Sequence, residues 1–155
     1  MELENPLHKR IGELAEIAQS VVDDFWQFHV SNNHPLKPRD KARLNCWARL
    51  RGENLEIYWT RFVFTYPKSG EGKAGVRSIH ISKGRGNQYA RAALQRHAKD
   101  WEIDTVMEAE KKFAAIRAEY TEIKKILFYI KRMNKSRNKL NEAFPTVTHS
   151  LSETA

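Results

Sequence analysis

From about Asp100 to Asn134 the apolar side chains fall at Val106, Ala109, Phe113, Ile116, Tyr120, Ile123, Leu127 and Ile130, in alternating steps of 3 and 4 residues. That spacing is a heptad seam held for more than three heptads, narrower than the stripe of a helix merely lying on a core. It predicts one helix over about 100–134, a rod of roughly 50 Å at about 1.5 Å per residue. Asp100, Glu102 and Asp104 at its amino end and Lys131, Arg132 and Lys135 at its carboxyl end suit the helix dipole. A second seam of the same period runs through Leu7, Ile11, Leu14, Ala18, Val21, Phe25 and Phe28, with Asn5-Pro6 as cap and first residue and Asn32-Asn33 then Pro35 as the stop. This predicts a helix over about 6–32, able to lie antiparallel against the first as a coiled-coil hairpin.

Between the two seams the period changes to 2. Pro35 and Pro38 make 34–40 a loop; Leu44, Cys46, Ala48 and Leu50 then alternate with Asn45, Trp47, Arg49 and Arg51, as in a half-buried strand. Gly52-Glu53-Asn54 reads as a turn and Leu55 to Tyr66, dense in β-formers, as a long second strand. Its apolar face switches from Leu55, Ile57 and Trp59 to Phe62 and Phe64, which predicts a bulge near Thr60-Arg61. A glycine-rich turn over 67–75 leads to a third strand, Val76 to Lys83, and Asn87 is placed to cap a short helix over about 88–97.

The fold class predicted is α+β: a three-stranded antiparallel β-meander over about 43–83 at one end of a long antiparallel two-helix coiled-coil hairpin. One sheet face is expected to bury against Val22, Phe25 and Trp26 of the first helix and Trp101 and Val106 of the second. Residues 1–140 are read as a single domain and 141–155, with Pro145 and many Ser and Thr, as a disordered tail.

Charge changes the picture because it is segregated. The net charge of +8 divides into −4 over residues 1–36, +11 over 37–99 and +1 over 100–155. Residues 124–139 carry seven Lys and Arg and no acid. Interspersed signs are the ordinary surface pattern; a cationic head points to a polyanion, nucleic acid first. One cysteine, Cys46, allows no internal disulfide, no apolar run reaches membrane-spanning length, and a cytoplasmic setting without membrane association is the expectation.

Candidate chemistry is thin. None of the six histidines is separated from another by a single residue, as metal-dependent HUH nicking requires, and neither Glu53 nor Glu56 begins the Glu-x-Lys of a restriction-type nuclease. Gly70-Glu71-Gly72-Lys73 has the wrong spacing for a P-loop and reads as a hairpin turn. Gly84-Arg85-Gly86-Asn87 is placed where backbone N–H groups could face a phosphate, with a plain left-handed turn as the equal alternative. No catalytic residue, metal site or cofactor is expected. The DNA-binding set expected is Arg49, Arg51, Arg61, Lys73, Arg77, Lys83, Arg85, Asn87, Arg91 and Arg96, with Arg49 and Arg51 on one strand face beside Trp47. At the far end Lys124, Lys125, Lys131, Arg132, Lys135, Arg137 and Lys139 flank Ile126-Leu127-Phe128-Tyr129-Ile130, a run apolar all round. Ile126, Phe128 and Tyr129 are expected to meet a partner or a second subunit in a homodimer.

The stretch from Trp47 through Arg117, somewhat under half the chain, resembles the MobI-type accessory proteins of conjugative elements: Trp47 with Arg49 and Arg51, "NLEIYW", "VRSIHISKGRG" and "AKDWEIDTVMEAEKKFAAIR". The resemblance implies a non-catalytic DNA-binding factor that acts at the origin of transfer and helps a separate relaxase engage, with duplex DNA and other transfer proteins as partners. No residue-level motif is carried over from it. Two other classes stay open: a coiled-coil adaptor or phage-type inhibitor that binds an acidic protein surface and ignores DNA, and a small transcription regulator with operator specificity but no dependence on a relaxase.

Overall fold

A computed structural model describes residues 3–68, 70, 72, 73 and 75–145. In chain order these form helix α1 (Asn5–Asn33), one 3-10 turn (Pro38–Asp40), strands β1 (Leu44–Arg51), β2 (Asn54–Thr65) and β3 (Gly75–His80), the short helix α2 (Arg91–Gln95) and helix α3 (Ile103–Ala143). The protein is α+β, with one antiparallel sheet in the order β1-β2-β3.

The long helix begins later than expected and runs past Asn134 to Ala143, into the expected tail. Residues 131–143 contain no glycine or proline, and nine of the thirteen are Lys, Arg, Met, Leu, Glu or Ala, all good helix formers. The fading of apolar periodicity there marks where packing stops, not where the helix does. The rest of the expected tail, residues 146–155, lies outside the described residues. At the other terminus Asn5 is the first helical residue rather than the cap. No non-glycine residue among those described has positive φ, so Asn32-Asn33 do not stop α1 by a left-handed turn. Asn33 instead clamps the next segment: its Nδ2 donates to the Ala42 carbonyl at 3.0 Å and its Oδ1 accepts from the Ala42 N–H at 2.7 Å.

The two long helices pack antiparallel. Phe28 meets Trp101 with ring centroids 5.9 Å apart, and near the opposite end of α1 Arg10 Nε donates to Glu119 at 2.6 Å. The pair is unequal, 29 residues against 41. The sheet is not mounted at one end of it. β2 lies alongside the amino-terminal half of α3, from Trp59 Nε1 donating to Glu110 at 2.7 Å to the Leu55 N–H donating to the Tyr120 hydroxyl at 3.2 Å. α1 must therefore face both α3 and β1, and its buried set slides by one residue after Ala18, to Val22, Phe25 and His29 in place of Val21 and Phe28.

Trp59, fully buried, is the centre of the core. Phe25 of α1 meets it edge-on at 5.1 Å and Phe113 of α3 at 6.0 Å, so one indole joins all three layers. The bulge expected at Thr60-Arg61 is absent, because pairing is continuous from Leu44↔Arg61 to Arg51↔Asn54 and from Thr60↔His80 to Thr65↔Gly75. What switches is the cover. Leu55, Ile57 and Trp59 are buried on the side toward α3, whereas the other side of β2 is shielded at Phe62 by the Trp26 ring, 6.5 Å away, and at Thr60 by Trp47, whose Nε1 donates to the hydroxyl at 2.8 Å.

Glu102, at the start of α3, is fully buried. Its Oε1 accepts from the Lys99 N–H at 3.0 Å while Oε2 has no partner. Burial pushes this carboxyl up to about 7 against an ordinary 4.5, opposed in part by the Lys99 backbone bond and charge. A raised folded-state value means the folded chain holds a proton that the unfolded chain has released. The contribution is complete below about pH 4.5 and is lost as pH rises to about 7. Glu102→Gln is therefore expected to match the parent in acid and to exceed it by roughly 1–3 kcal/mol at slightly alkaline pH, read from urea midpoints across that window; parallel pH profiles for the two would refute the assignment.

Candidate nucleic-acid interface

β2 is long enough to serve two neighbours in succession. It pairs with β1 over residues 54–61 and with β3 over 60–65. Past this overlap β2 and β3 continue as a two-stranded ribbon without β1, and Phe64, Thr65, Tyr66, Val76, Arg77 and Ser78 are all exposed. Because alternate residues face opposite ways, the ribbon is bare on both faces. Arg61 at its base and Lys68, Lys73 and Arg77 toward its tip have no carboxylate partner among the described residues. A ribbon of this width fits a major groove, and cations without a carboxylate partner among the described residues are suited to phosphates.

The ten residues expected to form one platform are divided by the fold. Arg49 and Arg51 share the outer sheet face with Trp47, as the alternation required, but Arg49 is occupied: it lies directly across from Glu56 and donates to it through Nε at 2.8 Å and Nη2 at 2.5 Å. That bond holds the Glu56 carboxyl below its ordinary value. Arg51 has no such partner. Arg61 and Arg77 project from the opposite face of the sheet, at diagonal cross-strand positions. Arg61 and Arg96 both lie near His97, whose pKa is lowered by burial first and by these two charges next. Lys83 donates to the Gly86 carbonyl across its own turn, and Gly84 and Gly86 both sit at positive φ, 77° and 83°, the conformation glycine adopts freely. Arg85 and Arg91 are exposed in that turn and at the start of α2.

Asn87 is not a helix cap. Its carbonyl accepts from Arg117 Nη1 at 2.9 Å and its Oδ1 from the Thr121 hydroxyl at 3.0 Å, so it fastens the turn to α3. α2 begins four residues later, at Arg91, behind an extended Ala90. Arg117 itself, only 7% exposed, pairs with the fully buried Glu110 at 2.7 Å. The two flank Phe113 at a spacing of seven on the inward side of the seam.

A further basic stretch escaped notice. Lys37, Arg39, Lys41 and Arg43 alternate along the loop into β1, and Arg43 places its guanidinium carbon 4.9 Å from the centre of the Phe64 ring. The strict alternation of cations before a strand was the available signal. At the far end of α3, Ile126, Phe128 and Tyr129 are 46%, 58% and 63% exposed. They point away from the buried Ile123, Leu127 and Ile130, with the Arg132 guanidinium over the Phe128 and Tyr129 rings at 5.8 and 6.0 Å.

Cys46 is fully buried, and burial drives its thiol far above the ordinary range, where it is a poor nucleophile. Among the described residues no cluster of three or more His, Cys, Asp or Glu could hold a metal ion, and no helix is long and apolar enough to cross a membrane. A family model described as MobI protein matches residues 14–131, which takes in most of α1, the whole sheet, α2 and the part of α3 packed against them. No curated protein and no solved structure matches the chain.

Proposed function

The chain belongs to the MobI family, and on that premise we propose that it is a non-catalytic DNA-binding accessory factor of conjugative transfer, acting in the cytoplasm at the origin of transfer to help a separate relaxase engage. The family name supports mobilisation as the process. The observation that carries DNA binding is the β2–β3 ribbon, clear of the core and bearing cations that no carboxylate of the described residues neutralises. The exposed Ile126, Phe128 and Tyr129 of α3 are the surface offered to a transfer protein or a second copy.

Binding to a duplex carrying the element's own origin of transfer is expected to weaken in proportion to log salt, with a slope of about −0.9 per phosphate contact. Footprinting at two salt concentrations then separates origin-specific protection from uniform coating. An affinity indifferent to salt, or a chain that ignores duplex but is retained by acidic proteins, favours the adaptor class instead. Sedimentation at micromolar concentration tests the apolar end of α3: Ile126→Glu together with Tyr129→Glu is expected to shift an associated species toward monomer, and a parent that is already monomeric removes the homodimer from the proposal.

A further inference from the structure

One cavity is not used by this reading. It opens where the carboxyl end of α1, the loop into β1 and the outer side of β2 meet, has a volume of about 460 Å³, and is walled by His29, Asn33, Phe62, Phe64 and Tyr66, with Lys41 and Arg43 at its lip. That size lies within the roughly 300–1,000 Å³ of small-ligand pockets.

Its lining is graded by exposure, from the buried His29 through the half-buried Asn33 and Lys41 to the exposed Arg43, Phe64 and Tyr66. The inner wall is neutral, since burial lowers the His29 pKa. The Asn33 amide, oriented by its two bonds to Ala42, turns Nδ2 toward His29 Nε2 at 2.9 Å. Nε2 is then the acceptor and the ring proton sits on Nδ1, which is buried without a partner. Phe64 and Tyr66 are 44% and 76% exposed; the Arg43 guanidinium lies 4.9 Å from the Phe64 ring centre, which leaves Tyr66 and the other face of Phe64 for a ring to stack on. The outside is cationic, with Lys37 and Arg43 exposed and Lys41 half-buried.

An uncharged apolar interior behind a cationic rim selects a flat neutral ring that carries phosphates. Paired bases in a duplex are stacked and cannot enter; unpaired bases can, and aromatic stacking beside a basic track is how single strands are held. We propose that this pocket takes an unpaired base of single-stranded DNA, its backbone running along Lys37, Lys41 and Arg43. The inference rests on the DNA-binding reading and deepens it: a factor holding duplex on its ribbon and one displaced base in this pocket favours a locally opened origin over a closed one.

The test uses the full chain with three probes: labelled oligothymidylate, an oligomer of equal length whose residues are abasic, and a labelled duplex. Oligothymidylate is expected to bind about tenfold or more tightly than the abasic strand, and Phe64→Leu with Tyr66→Leu, which keeps bulk and removes both ring faces, to abolish that difference; because both rings also stand on the ribbon, the readout is the ratio of normal to abasic affinity within each protein and not the duplex affinity. Both rings are exposed, and circular dichroism verifies that the variant folds. Equal affinity for the normal and abasic strands, or an unaltered preference in the double variant, overturns the pocket. Duplex binding that persists when no strand is bound overturns the pocket and leaves the ribbon reading standing, whereas loss of all three probes overturns both.

Discussion

Arg117→Met is expected to lower folding stability by about 3–5 kcal/mol, because it strips the counter-ion from a carboxylate that has no access to water. Glu110 is fully buried. One oxygen accepts from the Tyr89 N–H at 2.8 Å and Arg117 Nη1 at 2.7 Å; the other accepts from Trp59 Nε1 at 2.7 Å and Arg117 Nη2 at 3.3 Å. Arg117 in turn donates to the carbonyls of Ile57, at 3.3 Å, and Asn87, at 2.9 Å. Four bonds to one carboxylate thus tie β2, the turn before α2 and α3 into one piece. Removing the guanidinium leaves a buried anion held by two neutral donors and orphans two carbonyls.

Two comparisons make that figure specific. Arg10→Met breaks the exposed pair with Glu119 and is expected to cost no more than about 1 kcal/mol. Glu110→Gln added to Arg117→Met should recover part of the loss, since the amide oxygen still accepts from Trp59 or Tyr89 while the stranded charge is gone. Urea midpoints at unchanged slope report all three. If Arg117→Met proved no more damaging than Arg10→Met, the pair would be an ornament of the interface and not what locks the sheet to α3.

Legibility from residues alone divided along a physical line. Both long helices and all three strands were readable, because apolar side chains repeat at helical spacing along α1 and α3 and at every second position along β1, and that pattern survives in sequence whatever packs against it, even where, as along β1, burial itself fades from Leu44 to Arg51. Placement of the sheet was not. Trp59 binds Glu110 two turns into α3, and nothing in the period of α3 says which stretch of it a sheet covers. Glu110 and Arg117 were unreadable for a related reason: a charged residue beside a seam is ordinarily solvated, and only the arrival of Trp59 and Tyr89 makes this pair interior. The end of α3 was misjudged because amphipathicity was taken for helicity. Within the candidate interface, the cations of the ribbon were recognisable by type, but the pairing of Arg49 with Glu56, its cross-strand neighbour, was not. Nor were the bonds of Asn87 to Thr121 and Arg117, which are distant in sequence and adjacent only after folding.

The division of those cations decides the second large effect. Lys68→Ala, Lys73→Ala and Arg77→Ala combined are expected to reduce affinity for duplex DNA by roughly 10²–10³-fold at low salt and to flatten the slope of log affinity against log salt by about 2.7, if each cation meets one phosphate. All three side chains are exposed, so stability should stay within about 0.5 kcal/mol of the parent, and loss of binding cannot be charged to unfolding. Arg49→Ala is the contrasting control. Its guanidinium is already shared with Glu56, so moving it onto a phosphate would first break a cross-strand pair, and the substitution is expected to change affinity by less than about threefold and leave the salt slope nearly untouched. The opposite ranking, with Arg49 dominant and the ribbon triple inert, would move the DNA to the outer sheet face beside Trp47 and make the ribbon a bystander. With the expected ranking, the contact surface is the part of the sheet that extends past β1, and the length of β2 beyond its first partner is what creates it.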